Sequence, residues 1–238
     1  MVSDINFLLV GNSRLHWANY SQNQSKFFHT KKEQKVPENI DVNQLIWASV
    51  GKLPNFSLKE ENKIQTKDIQ LSNLPDYFGI DRALASLGAL KTIENPLKKD
   101  LLIADFGTIL SITKLNSKGS ILGGQLIPGF LTQLKSMEQN TKNLKVPKKL
   151  EVPTKDFLIN TEEAILKGVI NSLAGVIKSS FNPGKDILIT CGGDSQFFTK
   201  YLKTIKKNII HAPNLVMEGM IIYHHSPKNY FNPKSSII

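Results

Sequence analysis

The sequence predicts an α/β fold built twice, two domains of mixed β-sheet and helices with a cleft between them. Three observations carry this reading. Apolar runs follow one another first as hairpin-like strands and then in alternation with helices. A layout of apolar run, small-residue turn, alternating strand, polar turn and strand occurs near the N-terminus and again from Leu101 to Gly129. Laid together, the two stretches place Gly11 on Gly107 and Asn12 on Thr108. A long unit that occurs twice is a duplicated domain and not a solenoid. The division falls in NPLKKD, near Pro96 to Asp100, giving an N-terminal domain at 1–97 and a C-terminal domain at 98–238.

The elements follow in order. INFLLV, RLHWANYS and KFFHT read as strands, the first two joined by Gly11-Asn12-Ser13. Next come a helix over 38–45, a buried strand IWASV, a strand near KDIQL and a helix beginning after Gly79. The second copy supplies three strands through LLIADFGTILSITKLNSKGSILGGQLIPG. A helix from Phe130 to about Asn140, a basic loop at 142–155 and a helix opening at Asn160 come after it. Strand DILITCGG, helix SQFFTKYLK, strand KNIIHAP and helix NLVMEGMIIYHH close the run, and the tail from Ser226 is expected to fray.

Composition excludes several classes. In 238 residues, 40% hydrophobic and 21% charged, there is enough apolar material for large cores and none of the bias of disordered or collagenous chains. A single cysteine forms no internal disulfide, and no Cys/His spacing suits zinc, so a reducing compartment is expected. The start MVSDINFLLV lacks a basic leader, and no apolar run reaches membrane-spanning length; a cytoplasmic location with no membrane partner is expected. The net charge of +10 invites a nucleic-acid reading. Only Arg14 and Arg82 are arginines, however, and the lysines are scattered with no interleaved aromatics, so no nucleic-acid partner is expected.

Five groups could carry chemistry. LLIADFGT delivers Asp105 to a strand end, where a carboxylate suits a cation; Gly107 permits close backbone approach, and the Thr108 hydroxyl can bind a phosphate, although Asp and Gly are also ordinary turn residues. Gly11-Asn12-Ser13 offers the same geometry in the first copy. In GIDR, Asp81 suits either a helix N-cap or a general base. Arg82 opposes the helix dipole there and so needs another reason, such as a planar carboxylate partner. In NTEEAILKG, Asn160 and Glu163 match a capping pattern, while Thr161 can cap or touch a ligand. The glycines of GGQLIPG and CGG suit turns or close approach to a ligand; His224, His225 and Cys191 read as structural.

Taken in order, GNSR, GIDR, DFGT, GGQLIPG, NTEEAILKG, CGG and PNLVMEG resemble the type III pantothenate kinases, members of the actin, hexokinase and heat-shock ATPase superfamily. The resemblance implies two actin-like (ribonuclease H-like) domains. It also implies ATP-dependent phosphorylation of pantothenate to 4'-phosphopantothenate, the first step of coenzyme A biosynthesis. Asp81 would be the catalytic base, Gly79, Ile80, Arg82 and Thr161 substrate contacts, and Asp105 the holder of a monovalent cation, K+ or ammonium. Leu9, Val10, Gly11, Asn12, Ser13, Arg14, Leu15 and His16 would form the first phosphate loop, with Thr108 a further ATP contact. Mg2+ and a homodimer are implied as well. The chain departs from the family pattern where Leu9 replaces an Asp, Ser13 a Thr, Ser72 a Tyr and Ile109 an Ala. Leu9 motivates the alternative of a weakened or regulatory homologue that keeps the fold and the ligand pocket.

Overall fold

In a computed structural model, residues 4–94, 98–202 and 209–226 are described. They form two compact units. The first comprises the chain through Lys98, Leu115–Leu122 and the segment from Asn214 onward; the second comprises Lys99–Lys114 and Gly123–Pro213.

In the first unit, β1 (Ile5–Val10), β2 (Arg14–Ser21), β3 (Gln24–Lys31) and β4 (Ile46–Ser49) form a sheet of order β3-β2-β1-β4. β2 is antiparallel to β1 and to β3, whereas β4 runs parallel to β1. Alternation along the strands divides the apolar residues between two faces. Phe7, Leu9, Ala18 and Ala48 pack with α1 (Ile80–Thr92) and α5 (Leu215–His225) through Leu84, Leu87, Met217 and Met220. Leu8, Val10, Leu15, Trp17 and Trp47 form a second core on the opposite face, against Ile40, Phe56 and Leu58. Each buried indole N–H is satisfied: Trp17 donates to Thr30 Oγ1 at 2.9 Å and Trp47 to the Lys59 carbonyl at 2.7 Å.

Two expected elements are replaced by turns. Over 38–45 there is no helix; Asp41 Oδ1 accepts the Asn43 N–H at 2.9 Å, and the Pro37 and Asp41 carbonyls accept from Ile40 and Gln44. Short polar side chains here offer the backbone local partners that compete with a helix. The strand near KDIQL is instead a single tight helical turn, Thr66–Asp68, closed by Asp68 Oδ2 accepting the Gln65 N–H at 2.8 Å.

In the second unit, β5 (Asp100–Phe106), β6 (Ile109–Leu115), β7 (Ile121–Pro128), β8 (Asp186–Cys191) and β9 (Ile209–His211) form a sheet of order β7-β6-β5-β8-β9. The first four repeat the third-second-first-fourth order of the other sheet, with β8 parallel to β5 as β4 is to β1. The duplication inferred from Gly11 and Gly107 is therefore present as strand topology. α2 (Phe130–Asn140), α3 (Thr161–Ser180) and α4 (Ser195–Tyr201) bury this unit's core, in which Phe106, Phe130 and Phe198 meet Ile170, Leu173 and Ile177.

The compact units differ from a division at 97/98 in two segments. The β6–β7 turn docks on the first unit, where Ser72 accepts the Ile121 N–H at 3.0 Å and Asn73 donates to the Ile121 carbonyl at 2.7 Å. α5 returns to pack on α1 through glycines: a methyl on Gly88 would lie 2.6 Å from the Leu215 carbonyl oxygen, and one on Gly219 would collide with that of Leu84. Asn95 to Leu97 at the expected boundary, and the tail beyond Ser226, lie outside the described residues.

Gly219→Ala should therefore destabilise the protein by about 1–3 kcal/mol, reversing the gain of roughly 1 kcal/mol that this change brings at an open helical site. Gly175 in α3 has nothing within 4 Å of an added methyl, so Gly175→Ala should stabilise. Urea midpoints of the two variants check the contrast.

Candidate active site

The first loop begins where β1 and β4 end side by side. The Val10 carbonyl accepts N–H groups from both Val50 (3.0 Å) and Gly51 (3.2 Å), and Gly11 donates to the Arg14 carbonyl at 3.0 Å. A side chain on Gly51 would strike the Gly11 carbonyl, so the two chain ends lie together only because residue 51 is glycine. Leu9, Val10 and Leu15, expected among the nucleotide-binding positions, have their side chains in the apolar core, which leaves their backbone groups for a ligand. Asn12, Ser13 and Arg14 are exposed. His16 lies behind the loop, its Nε2 at 3.0 Å from where a Gly11 methyl would be, and meets His29 edge to face at a centroid distance of 4.8 Å. Burial, then His29, then Arg14 hold His16 at about 4, so it is neutral at physiological pH.

Asp81 and Arg82 stand in the first turn of α1. Gly79 occupies the N-cap, so Asp81 is not the cap that its residue type suggests. Its Oδ1 instead accepts the Arg82 N–H at 2.8 Å. Burial raises the Asp81 carboxyl above its usual range, partly offset by that N–H and by the Arg82 charge. The Arg82 guanidinium stacks on Phe78 at 3.9 Å from the ring centroid, which orients the fork. Ile80 is a core residue, 7% exposed, in the same cluster as Leu9.

In the second unit, Asp105, the penultimate residue of β5, is in register with Cys191 of β8. Gly192 follows with φ +86°; a methyl there would strike Asp105 Oδ1 and lie 2.6 Å from the Phe106 carbonyl oxygen. The first glycine of CGG is thus demanded both by its backbone conformation and by the carboxylate it accommodates. Thr108 is exposed in the β5–β6 turn, and its carbonyl accepts from Gly129 (2.9 Å) and Thr132 Oγ1 (2.6 Å). Asn160 caps α3, accepting the Glu163 N–H at 3.1 Å, and Thr161 is exposed as the first helical residue. Beside it runs a groove of about 550 Å³ lined by Lys148, Lys149, Thr154, Asn160 and Glu162. The following loop is tied to α3 by an ion pair of 3.1 Å between Asp156 and Lys167.

The remaining candidates are structural. His224 stands edge-on to Phe7 and His225 bonds the Ile221 carbonyl at 2.8 Å. Among the described residues, no three His, Cys, Asp or Glu side chains gather as a metal cluster, and Cys191 is buried. Sequence reasoning missed Gly51, Phe78 and Lys32, whose ammonium lies at the Gly11–Gly51 contact. Phe78 could have been found, since it directly precedes GIDR.

His16 generates a pH prediction. Between its folded value of about 4 and its ordinary 6.5, the unfolded chain takes up a proton that the folded chain refuses. Stability should be full above pH 6.5, fall as the pH drops toward 4 and then level off. The loss should be about 3 kcal/mol. His16→Gln should remove the largest share of that slope in denaturant titrations at successive pH values.

Comparison with known proteins agrees with this architecture. Residues 36–182 match the family model described as type III pantothenate kinase. A Synechocystis type III pantothenate kinase is 31% identical, covering 93% of this chain and 90% of its own, and one from Synechococcus elongatus is 28% identical over 90% and 93%. Among solved structures, a Baf-family protein from Campylobacter jejuni superposes with a TM-score of 0.64 at 21% identity, covering 92% of this chain and 96% of its own. The activator of the 2-hydroxyisocaproyl-CoA dehydratase from Clostridium difficile, an actin-like ATPase fold, does so at 0.51 and 14%, covering 93% and 95%. With a family model spanning more than half of its length and a relative aligned along nearly all of it, the chain belongs to the type III pantothenate kinase family.

Proposed function

We propose that this chain transfers the γ-phosphoryl group of ATP to the hydroxyl of pantothenate, giving 4'-phosphopantothenate for coenzyme A synthesis, with Asp81 as the general base. The observation that carries the residue assignment is Asp81 itself. It is a largely buried carboxylate whose affinity for a proton is raised, next to an arginine oriented on an aromatic ring. A base of that kind accepts the hydroxyl proton as the phosphoryl group arrives. Arg82 offers a fork for the carboxylate end of pantothenate, with Gly79 and the backbone of Ile80 beside it. In the first unit the exposed Asn12 and Ser13 of the first loop are the proposed phosphate contacts, with Gly11 leaving room for close approach, and in the second unit the Thr108 hydroxyl is a proposed ATP contact.

The family's cations divide by site. Asp105 Oδ1 and the Phe106 carbonyl converge on Gly192, an all-oxygen set that suits K+ or ammonium. The Leu9 side chain offers no oxygen and the loop after it holds no acid, so nothing in the first loop fits a carboxylate-held Mg2+. When bound with ATP, Mg2+ supplies charge neutralisation of the phosphates. Leu9 also favours a second reading, a regulatory homologue that binds ligand without turnover. The buried lone thiol of Cys191 suits a reducing cytoplasm, and among the described residues no helix is long and apolar enough to cross a membrane. Exposed Phe157 and Ile159 in the second unit support a homodimer.

ADP release with ATP, Mg2+ and K+ should depend on pantothenate. Asp81→Asn should stay folded and bind pantothenate while kcat falls at least about a hundredfold. Near-normal turnover in that variant removes the base, and pantothenate binding without turnover by the unmodified chain selects the regulatory reading. Because the Asp81 carboxyl is raised, activity should decline on the acid side at a higher pH than an ordinary carboxylate would give, and this limb should be absent from the residual Asp81→Asn profile. Arg82→Lys keeps the charge but loses the fork, and should raise the pantothenate KM with little change in that for ATP.

A further inference from the structure

The edge of the first sheet that carries the Gly11–Ser13 loop is built without acids. No Asp or Glu occurs between Asp4 and Glu33, or from Ile46 through Lys59. The same stretches place Arg14 at the start of β2, Lys31 at the end of β3, and Lys32 and Lys52 just beyond β3 and β4. The registers bring these ends to one edge: Arg14 pairs with Lys31, Val10 with Leu15, and Val10 with Ser49. His16 and His29 lie one row in, and His16 is neutral at physiological pH.

Within this cationic edge, Lys32 is held in place. It is partly buried, and its Nζ donates to the Lys52 carbonyl at 2.9 Å, joining the segments that follow the two outer strands. The ammonium lies 2.9 Å from where a methyl on Gly51 would be, and that same methyl would strike the Gly11 carbonyl. The cation therefore stands directly at the first loop. An ammonium has three N–H donors. The bond to Lys52 leaves two that can meet the oxygens of an anion. Leu9, on the neighbouring row, is 6% exposed and sits in the apolar core, so the loop holds no carboxylate with which to recruit a metal.

We propose that Lys32, assisted by Arg14, binds the β- and γ-phosphates of the nucleotide on the first loop and supplies the charge neutralisation that a carboxylate-held metal at position 9 would otherwise provide. The proposal rests on the reading that Gly11–Ser13 receives nucleotide phosphate. Lys32 contributes a charge-assisted hydrogen bond with a short, pre-oriented reach, since its stem is already anchored across the loop. Nucleotides lacking the β- and γ-phosphates should be insensitive to it.

The test is calorimetric titration of the full chain with ATP and with AMP, each in Mg2+ and in EDTA, for the unmodified protein and for Lys32→Gln, Lys32→Ala and Lys32→Arg. Lys32→Gln removes the charge but keeps an N–H donor on a stem one bond shorter, and Lys32→Arg keeps the charge; with AMP as the control, the pair separates phosphate binding from loop architecture. The expected result is a loss of ATP affinity of at least about tenfold in Lys32→Gln and Lys32→Ala. AMP and pantothenate affinities should be unchanged, and Lys32→Arg should largely restore ATP binding. ATP affinity of the unmodified chain should change little in EDTA, and Leu9→Asp should make it dependent on Mg2+. Unaltered ATP affinity in Lys32→Gln, or an equal loss for ATP and AMP, overturns the role of Lys32 while leaving the kinase reading intact. Failure of the unmodified chain to bind ATP at all overturns the phosphate-loop reading together with it.

Discussion

The structure depends on a backbone contact that only glycine permits. In each unit the first strand and its parallel neighbour end side by side, and a glycine one or two residues past the neighbour has no room for a side chain. Gly51 presses on the Gly11 carbonyl in one unit, and Gly192 on Asp105 and the Phe106 carbonyl in the other. Parallel pairing of β1 with β4 and of β5 with β8 forces these chain ends together, and the hairpin turn after the first strand completes the corner. Such a corner presents backbone donors and small polar side chains at a strand end, where an anion or a cation can be held close to the main chain.

The two corners are alike in backbone and opposite in charge. The second keeps Asp105 on its strand end; the first carries Leu9 in the core and a rim of Arg14, Lys31, Lys32 and Lys52. One scaffold thus offers an oxygen-rich corner suited to a cation and a donor-rich corner suited to phosphate. Around Leu9 the four strands of the first sheet carry no acid. Asp81, whose charged form partial burial penalises, would on the proposed reading be the proton acceptor that phosphoryl transfer to a hydroxyl requires.

Close packing of α1 on α5 supports this arrangement from behind. The glycines at that contact, Gly88 and Gly219, let the helices approach until backbone meets backbone. Gly219 lies in PNLVMEG, so a motif that resembles other members of the family serves helix packing at that position. The same contact draws the C-terminal helix into the first unit, a reminder that a duplicated fold need not divide its chain at one point.

Much of this was legible in the sequence. Continuous apolar runs mark β1 and β5, which are buried on both faces, and alternation of apolar and polar residues marks β2 and β6. The pairing of Gly11 with Gly107 reveals the duplication, and GIDR and DFGT announce the residues of the candidate site. Local chemistry misled where it competed with periodicity: the Asp and Asn side chains over 38–45 divert the backbone into turns, and Gly79, with no side chain to cap, takes the N-cap that Asp81 seemed made for. What only the tertiary structure decided are the long-range choices: the return of α5 to the first unit, the seat of Arg82 on Phe78, and the placement of Lys32 over a loop some twenty residues earlier. The physical reason is that periodicity and turn chemistry act over a few neighbouring residues, whereas those contacts depend on which strands pair and which helices find room to approach.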